Sequence, residues 1–124
     1  MLVTGGRDYM RPNVVAMVLD GLKATYPDLV VIEGGAPGAD RFAAEWAEAN
    51  LPKGNHEQFK ADWAGFGKAA GMKRNAQMLA EGKPDLVIGF KDGFNRKLDK
   101  GGTENCIKQA NELGIPAYIV ERIS

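Results

Sequence analysis

A layered α/β fold, with a mostly parallel five-stranded sheet between helices on both faces, is what this sequence predicts. Three observations carry the prediction. Short apolar runs recur at Leu2-Val3-Thr4, Leu29-Val30-Val31-Ile32, Asp85 to Phe90 and Ala117 to Val120, the pattern of strands covered on both faces. Between them lie longer stretches with helical apolar spacing. Small-residue turns join the two kinds of segment at Gly5-Gly6, at Gly34-Gly35-Ala36-Pro37-Gly38 and at Gly101-Gly102.

The first strand begins almost at the N-terminus. A helix starts near Pro12, since proline is tolerated in a first turn, and carries Val15, Val18, Leu19, Leu22 and Tyr26 on one face before Pro27 ends it. The second strand covers Leu29 to Ile32. The helix that begins near Gly38 turns Ala39, Phe42, Ala43, Trp46 and Ala47 inward and closes at Pro52 and Gly54. A weaker strand spans His56 to Phe59, and residues 60–71 read as a long, polar, glycine-containing connection, a length that is often functional. The third helix runs from Met72 to Glu81, with Gly82 at its end and Pro84 just beyond. After the strand at Asp85 to Phe90, Lys91 to Lys100 reads as an exposed charged loop. Thr103 is a good N-cap for a last helix that turns Cys106, Ile107, Ala110 and Leu113 inward, and Gly114-Ile115-Pro116 leads to the final strand. No repeat or second domain is apparent, so residues 1–124 read as one domain.

Composition narrows the function. With 44% hydrophobic residues the chain can bury an ordinary core. The formal net charge is zero and no basic tract occurs, which argues against general nucleic-acid binding but not against a small nucleotide. A single cysteine excludes an intramolecular disulfide and fits a reducing compartment. No apolar run spans a membrane and no signal peptide is evident, so a cytoplasmic protein is expected. The only histidine, His56, has no second metal-ligand candidate at ligand spacing, and no cofactor is implied.

In a parallel α/β sheet, ligands sit at the carboxyl ends of the strands, near the switch in strand order. The glycine turns fall on that edge and define one composite site. Glycines let backbone approach a ligand, and free N–H groups at a helix start favour an anion. The ligand-binding candidates are Gly5, Gly6, Arg7, Asp8, Gly34, Gly35, Gly38, Asp40, Trp63, Lys68, Arg74, Asn75, Gly101, Gly102, Thr103 and Glu104. Arg7 can hold a phosphate and Asp8 a ribose hydroxyl, or both are solvated turn residues. Asp40 either complements the helix dipole or accepts from a sugar hydroxyl; its charge disfavours a phosphate at the same turn. Arg74 and Asn75, with Lys68 and Lys73 nearby, bring a cation cluster to a helix start that faces the site, or form a solvated helix face. Trp63 either stacks on a base or pins its loop to the core. Cys106 is a core residue without a base partner. No catalytic set is assigned.

The segments Val3 to Tyr9, Gly34 to Asp40, Ala61-Asp62-Trp63, Gly67 to Asn75, Pro84 to Val87 and Gly101-Gly102-Thr103 together resemble the YspA-like, cpYpsA-related branch of the SLOG superfamily. The resemblance covers nearly the whole chain in the same order. It implies a Rossmann-like three-layer sandwich that binds nucleotides or nucleotide-derived ligands, and members occur in bacteria and phages; related domains commonly form dimers. A wider resemblance, to the LOG-type phosphoribohydrolases, maps that family's catalytic arginine onto Arg74 and its phosphate turn onto Gly101-Gly102-Thr103. The position of its catalytic glutamate is Cys106 here. Glu104 lies two residues early, about 200° away around an ideal helix, and does not substitute for it. The expectation is therefore a binding protein that senses, carries or sequesters a nucleotide-derived molecule. The alternative is a hydrolase that cleaves an N-glycosidic or phosphate-ester bond, with Arg74 stabilising charge and Asp8, Asp40 or Glu104 as acid or base.

Overall fold

The computed structural model describes residues 1–92 and 102–122, with all their side chains except those of Trp63, Lys68, Asp92, Glu121 and Arg122. Five strands, β1 (Leu2–Gly5), β2 (Val31–Glu33), β3 (His56–Gln58), β4 (Val87–Asp92) and β5 (Ala117–Arg122), form one sheet in the order β3-β2-β1-β4-β5, and every pairing is parallel. The connections are α1 (Pro12–Thr25), α2 (Ala39–Asn50), a short α3 (Trp63–Phe66), α4 (Ala70–Gly82) and α5 (Gly102–Glu112). The predicted α/β Rossmann-like sandwich is the observed architecture.

Alternation along the strands builds two cores. Val3, Val31, Ile88 and Phe90 meet α1 and α2 through Val15, Leu19, Ala43 and Trp46. Leu2, Ile32 and Val87, one residue out of phase, meet α4 and α5 through Met78, Leu79, Cys106 and Ala110. A buried aliphatic side chain contributes roughly 1.5–3 kcal/mol, so these two layers hold most of the fold's stability. Trp46 Nε1 donates to Asp20 Oδ1 at 2.9 Å, which satisfies the indole N–H and fastens α2 to α1.

Several boundaries differ from the sequence reading, and each difference has a cause. β2 begins at Val31 and includes Glu33, whose carboxylate finds partners at the end of the strand. Residues 60–71 are not one irregular connection: Trp63–Phe66 is helical, a 3₁₀ turn covers Gly67–Ala69, and α4 starts at Ala70. Asp62 starts that run by accepting from Gly65 N at 2.8 Å, a local side-chain cap without an apolar period to announce it. Lys91 is not in an exposed loop. It belongs to β4, which continues to Asp92 because β5 pairs with it through Asp92↔Arg122, and Lys91 is only 6% exposed because its ammonium pairs with Glu104. The rest of that predicted loop lies outside the described residues. Thr103 is inside the first turn of α5 rather than capping it.

Candidate functional site

The strand order reverses direction between β1 and β4. Crossovers run outward from β1 through β2 to β3, then return to place β4 on the other side of β1. The connections leaving the two central strands therefore diverge and open a crevice at their carboxyl ends. The β1–α1 turn is held against this edge by Gly6 N, which donates to Phe90 O at 3.2 Å. Two glycines permit the packing. A Cβ on Gly5 would stand 2.4 Å from Ala39 Cβ, and one on Gly38 would stand 2.3 Å from Gly6 O, with φ at 79° as a further bar to any side chain.

Beside this turn, two carboxylates organise the β2–α2 connection. Glu33 is fully buried. Its Oε1 accepts from Gly35 N at 2.6 Å, and its Oε2 meets Gln58 Nε2 at 2.9 Å and His56 Nε2 at 2.7 Å. Asp40, 3% exposed, accepts through Oδ2 from Gly34 N at 3.0 Å and Ala36 N at 3.4 Å. Its Oδ1 is buried and has no partner among the described residues. Burial pushes the Asp40 carboxyl up to about 7, opposed by Arg74 and reinforced by Glu33.

Across the crevice, α4 brings up Arg74. Its Nη1 donates to Gly34 O at 2.6 Å and its Nε to Asn75 Oδ1 at 3.1 Å. The guanidinium lies so close to Gly34 that a Cβ there would fall 2.3 Å from Nη1. Asn75, 2% exposed, donates from Nδ2 to Gly102 O and to Asn105 Oδ1, both at 3.2 Å. The start of α5 thus stands next to Arg74, with the buried Thr103 hydroxyl in its first turn. Thr103 Oγ1 has no partner among the described residues, and its methyl packs toward Gly89. Cys106, one turn on, is buried with its thiol pushed up to about 12, chiefly by desolvation. A thiol so held is neither nucleophile nor acid at neutral pH.

Of the predicted residues, the structure brings Gly5, Gly6, Gly34, Gly35, Gly38, Asp40, Arg74, Asn75, Gly102 and Thr103 to one sheet edge. Arg7 is exposed there, and Asp8 folds back over Gly6 with Oδ2 buried. Glu104 is engaged by Lys91. Gly101 and the side chains of Trp63 and Lys68 lie outside the described residues. Sequence reasoning missed Glu33, His56 and Gln58 as the brace of the β2–α2 turn. An acidic residue ending an apolar strand was the available signal for Glu33, but its partners come from β3 and only pairing reveals them. A cleft of about 850 Å³ opens elsewhere, at the amino-terminal edge, between Tyr26, Lys83, Pro84 and Tyr118.

Comparison with known proteins bears on this geometry. Residues 1–66 match the YspA, cpYpsA-related SLOG family. The chain is 37% identical over 120 residues to the Gene 61 protein of Mycobacterium phage D29, covering 94% of this chain and 91% of the phage protein. No solved structure matches. Among the described residues, no helix is long and apolar enough to cross a membrane, and no group of three or more His, Cys, Asp and Glu is placed to hold a metal ion.

Proposed function

The chain belongs to the YspA, cpYpsA-related SLOG family, and from that premise we propose that it binds a nucleotide or nucleotide-derived small molecule at the carboxyl-terminal edge of its sheet. It does so as a sensor, carrier or sequestering protein. The observation that carries the reading is a pair of buried polar atoms, Asp40 Oδ1 and Thr103 Oγ1, without partners among the described residues at the strand-order switch. A buried polar atom left unpaired costs about 1–3 kcal/mol, and a ligand that completes it recovers that cost. The two differ in what they accept. The start of α5, with Thr103 and the Arg74 guanidinium close by, suits an anion such as a phosphate. Asp40 suits a neutral donor such as a sugar hydroxyl. A phosphorylated sugar offers both.

Binding is favoured over cleavage by Cys106. By the resemblance to the LOG-type phosphoribohydrolases it occupies the position of their glutamate, and it is buried with a strongly raised pKa. The test is native mass spectrometry of what co-purifies with the protein, followed by a thermal-shift screen of nucleotides, nucleoside phosphates and ADP-ribose-like compounds. A ligand at 100 times its dissociation constant stabilises the fold by about 2.7 kcal/mol. Recovery of that ligand intact after prolonged incubation supports binding alone. Release of free base or ribose 5-phosphate, abolished by Arg74→Ala, would overturn it in favour of hydrolysis. A screen without any shift, and no co-purified molecule, would remove the nucleotide reading altogether.

A further inference from the structure

We propose that Asn75 is the positioning residue that locks Arg74 and the start of α5 into one unit, so that the cationic and anion-binding halves of the site are set together before any ligand arrives. The ligand-binding significance rests on the function proposed above; the coupling itself does not.

The chemistry of the amide suits it to this place. Arg74 Nε can only donate and Gly102 O can only accept. A side chain between them must present an acceptor to one and a donor to the other. Asn75 does this in a single orientation, with Oδ1 toward Arg74 at 3.1 Å and Nδ2 toward Gly102 O at 3.2 Å. The second Nδ2 hydrogen goes to Asn105 Oδ1, also at 3.2 Å. That oxygen in turn accepts from Gln109 Nε2 at 2.7 Å, and Gln109 Nε2 also reaches Met72 O at 3.3 Å. The network therefore leaves α4 at Arg74, crosses to α5 and returns to α4 at Met72. At 2% exposure, Asn75 is shielded from water, so the bonds that it makes itself, to Arg74, Gly102 and Asn105, are lost at full cost if broken. The residue has no capacity directed at a ligand that compares with these commitments. Its contribution is preorganisation: fixing both halves in advance lowers the ordering cost of binding.

The test uses the ligand-free protein, so it stands or falls independently of whether a nucleotide binds. The two readouts are side-chain NMR of the Arg74 Nε–H, assigned by its loss in Arg74→Lys, and the backbone amide shifts of Thr103 to Asn105. In the parent protein the Nε–H exchanges slowly, and Arg74→Lys moves the α5 amides. Asn75→Leu is expected to speed Nε–H exchange roughly tenfold, the equivalent of about 1.4 kcal/mol, and to abolish the effect of Arg74→Lys on α5. Asn75→Asp separates the two arms. It keeps an acceptor for Arg74, so exchange stays slow, but it faces Gly102 O without a donor, so the response of α5 is lost. Asn105→Ala, which leaves Asn75 in place, weakens that response and serves if the buried substitutions prevent folding. Unchanged Nε–H exchange in folded Asn75→Leu would overturn the proposal. So would α5 amides that ignore Arg74→Lys in the parent, or that still respond to it fully in folded Asn75→Asp or Asn105→Ala.

Discussion

Two glycines four residues apart in the same turn have different jobs, and substitution separates them. A Cβ on Gly34 first meets the guanidinium of Arg74, the far end of a flexible side chain, whereas a Cβ on Gly38 meets the backbone carbonyl of Gly6 at a φ that side chains rarely adopt. Gly34→Ala is expected to fold with little loss of stability but to displace Arg74 and weaken ligand binding. Gly38→Ala is expected to cost roughly 3 kcal/mol, visible in the denaturation midpoint. Asp40 makes a second prediction at this scale. Its carboxyl titrates near 3.8 when unfolded and at about 7 when folded, so between those values the folded state binds more protons. Stability therefore falls as pH rises from about 4 to about 7 and levels off above. The buried N-terminal ammonium, lowered from 8.0, acts in the opposite sense at higher pH, but it is common to both proteins compared. Urea midpoints of the parent minus those of Asp40→Asn should decline across that window; a flat difference would show that Asp40 is solvated in the native state.

Among the elements, β3 is the least self-sufficient: three residues at the sheet edge, two of them exposed. Glu33 compensates by joining the end of β2 to both His56 and Gln58 while holding Gly35 N. Glu33→Ala leaves three polar groups without their acceptor and should cost about 3 kcal/mol, a fall in Tm of roughly 10 °C. The amide of Gly35 should lose hydrogen-exchange protection by a larger factor than amides in β4. Loss confined to global stability, with Gly35 protected as before, would count against a local brace. This brace also marks the limit of what the sequence discloses. Apolar periodicity located α1, α2, α4 and the central strands, because their burial is written in each segment's own composition. The brace, the Lys91–Glu104 pair and the Asn75 network depend on contacts between segments 13 to 37 residues apart, and no local pattern encodes them. The helical turn at Trp63–Phe66 escaped for another reason: a four-residue helix has no room for a period.

Among the described residues, the amino-edge cleft and the carboxyl-edge crevice lie at opposite ends of the strands. The amino-edge cleft is a sizeable surface feature, but its charged neighbours, Asp28, Glu57 and Asp85 against Lys83 and the Met1 ammonium, leave no excess of positive charge to draw a phosphate there. The carboxyl edge has the crevice dictated by strand order, the start of α5, Arg74 and buried oxygens without partners among the described residues. Thr103→Val decides between them because it should move stability and binding in opposite directions. Valine has nearly the shape of threonine without the hydroxyl, so it removes a buried oxygen that has no partner among the described residues, and the fold should gain about 1 kcal/mol. If a ligand phosphate uses that hydroxyl, affinity should fall roughly tenfold, the worth of one hydrogen bond to a charged group. Tyr26→Ala, at the other edge, should leave affinity unchanged. Paired denaturation and calorimetric titration of both variants read the two quantities separately. A stabilised Thr103→Val that binds as before, or a Tyr26→Ala that binds poorly, would move the ligand away from the strand-order switch. The opposed signs expected here follow from the proposed function, on which a buried hydroxyl unpartnered among the described residues, and held so at a cost to the fold, would be the group that a ligand completes.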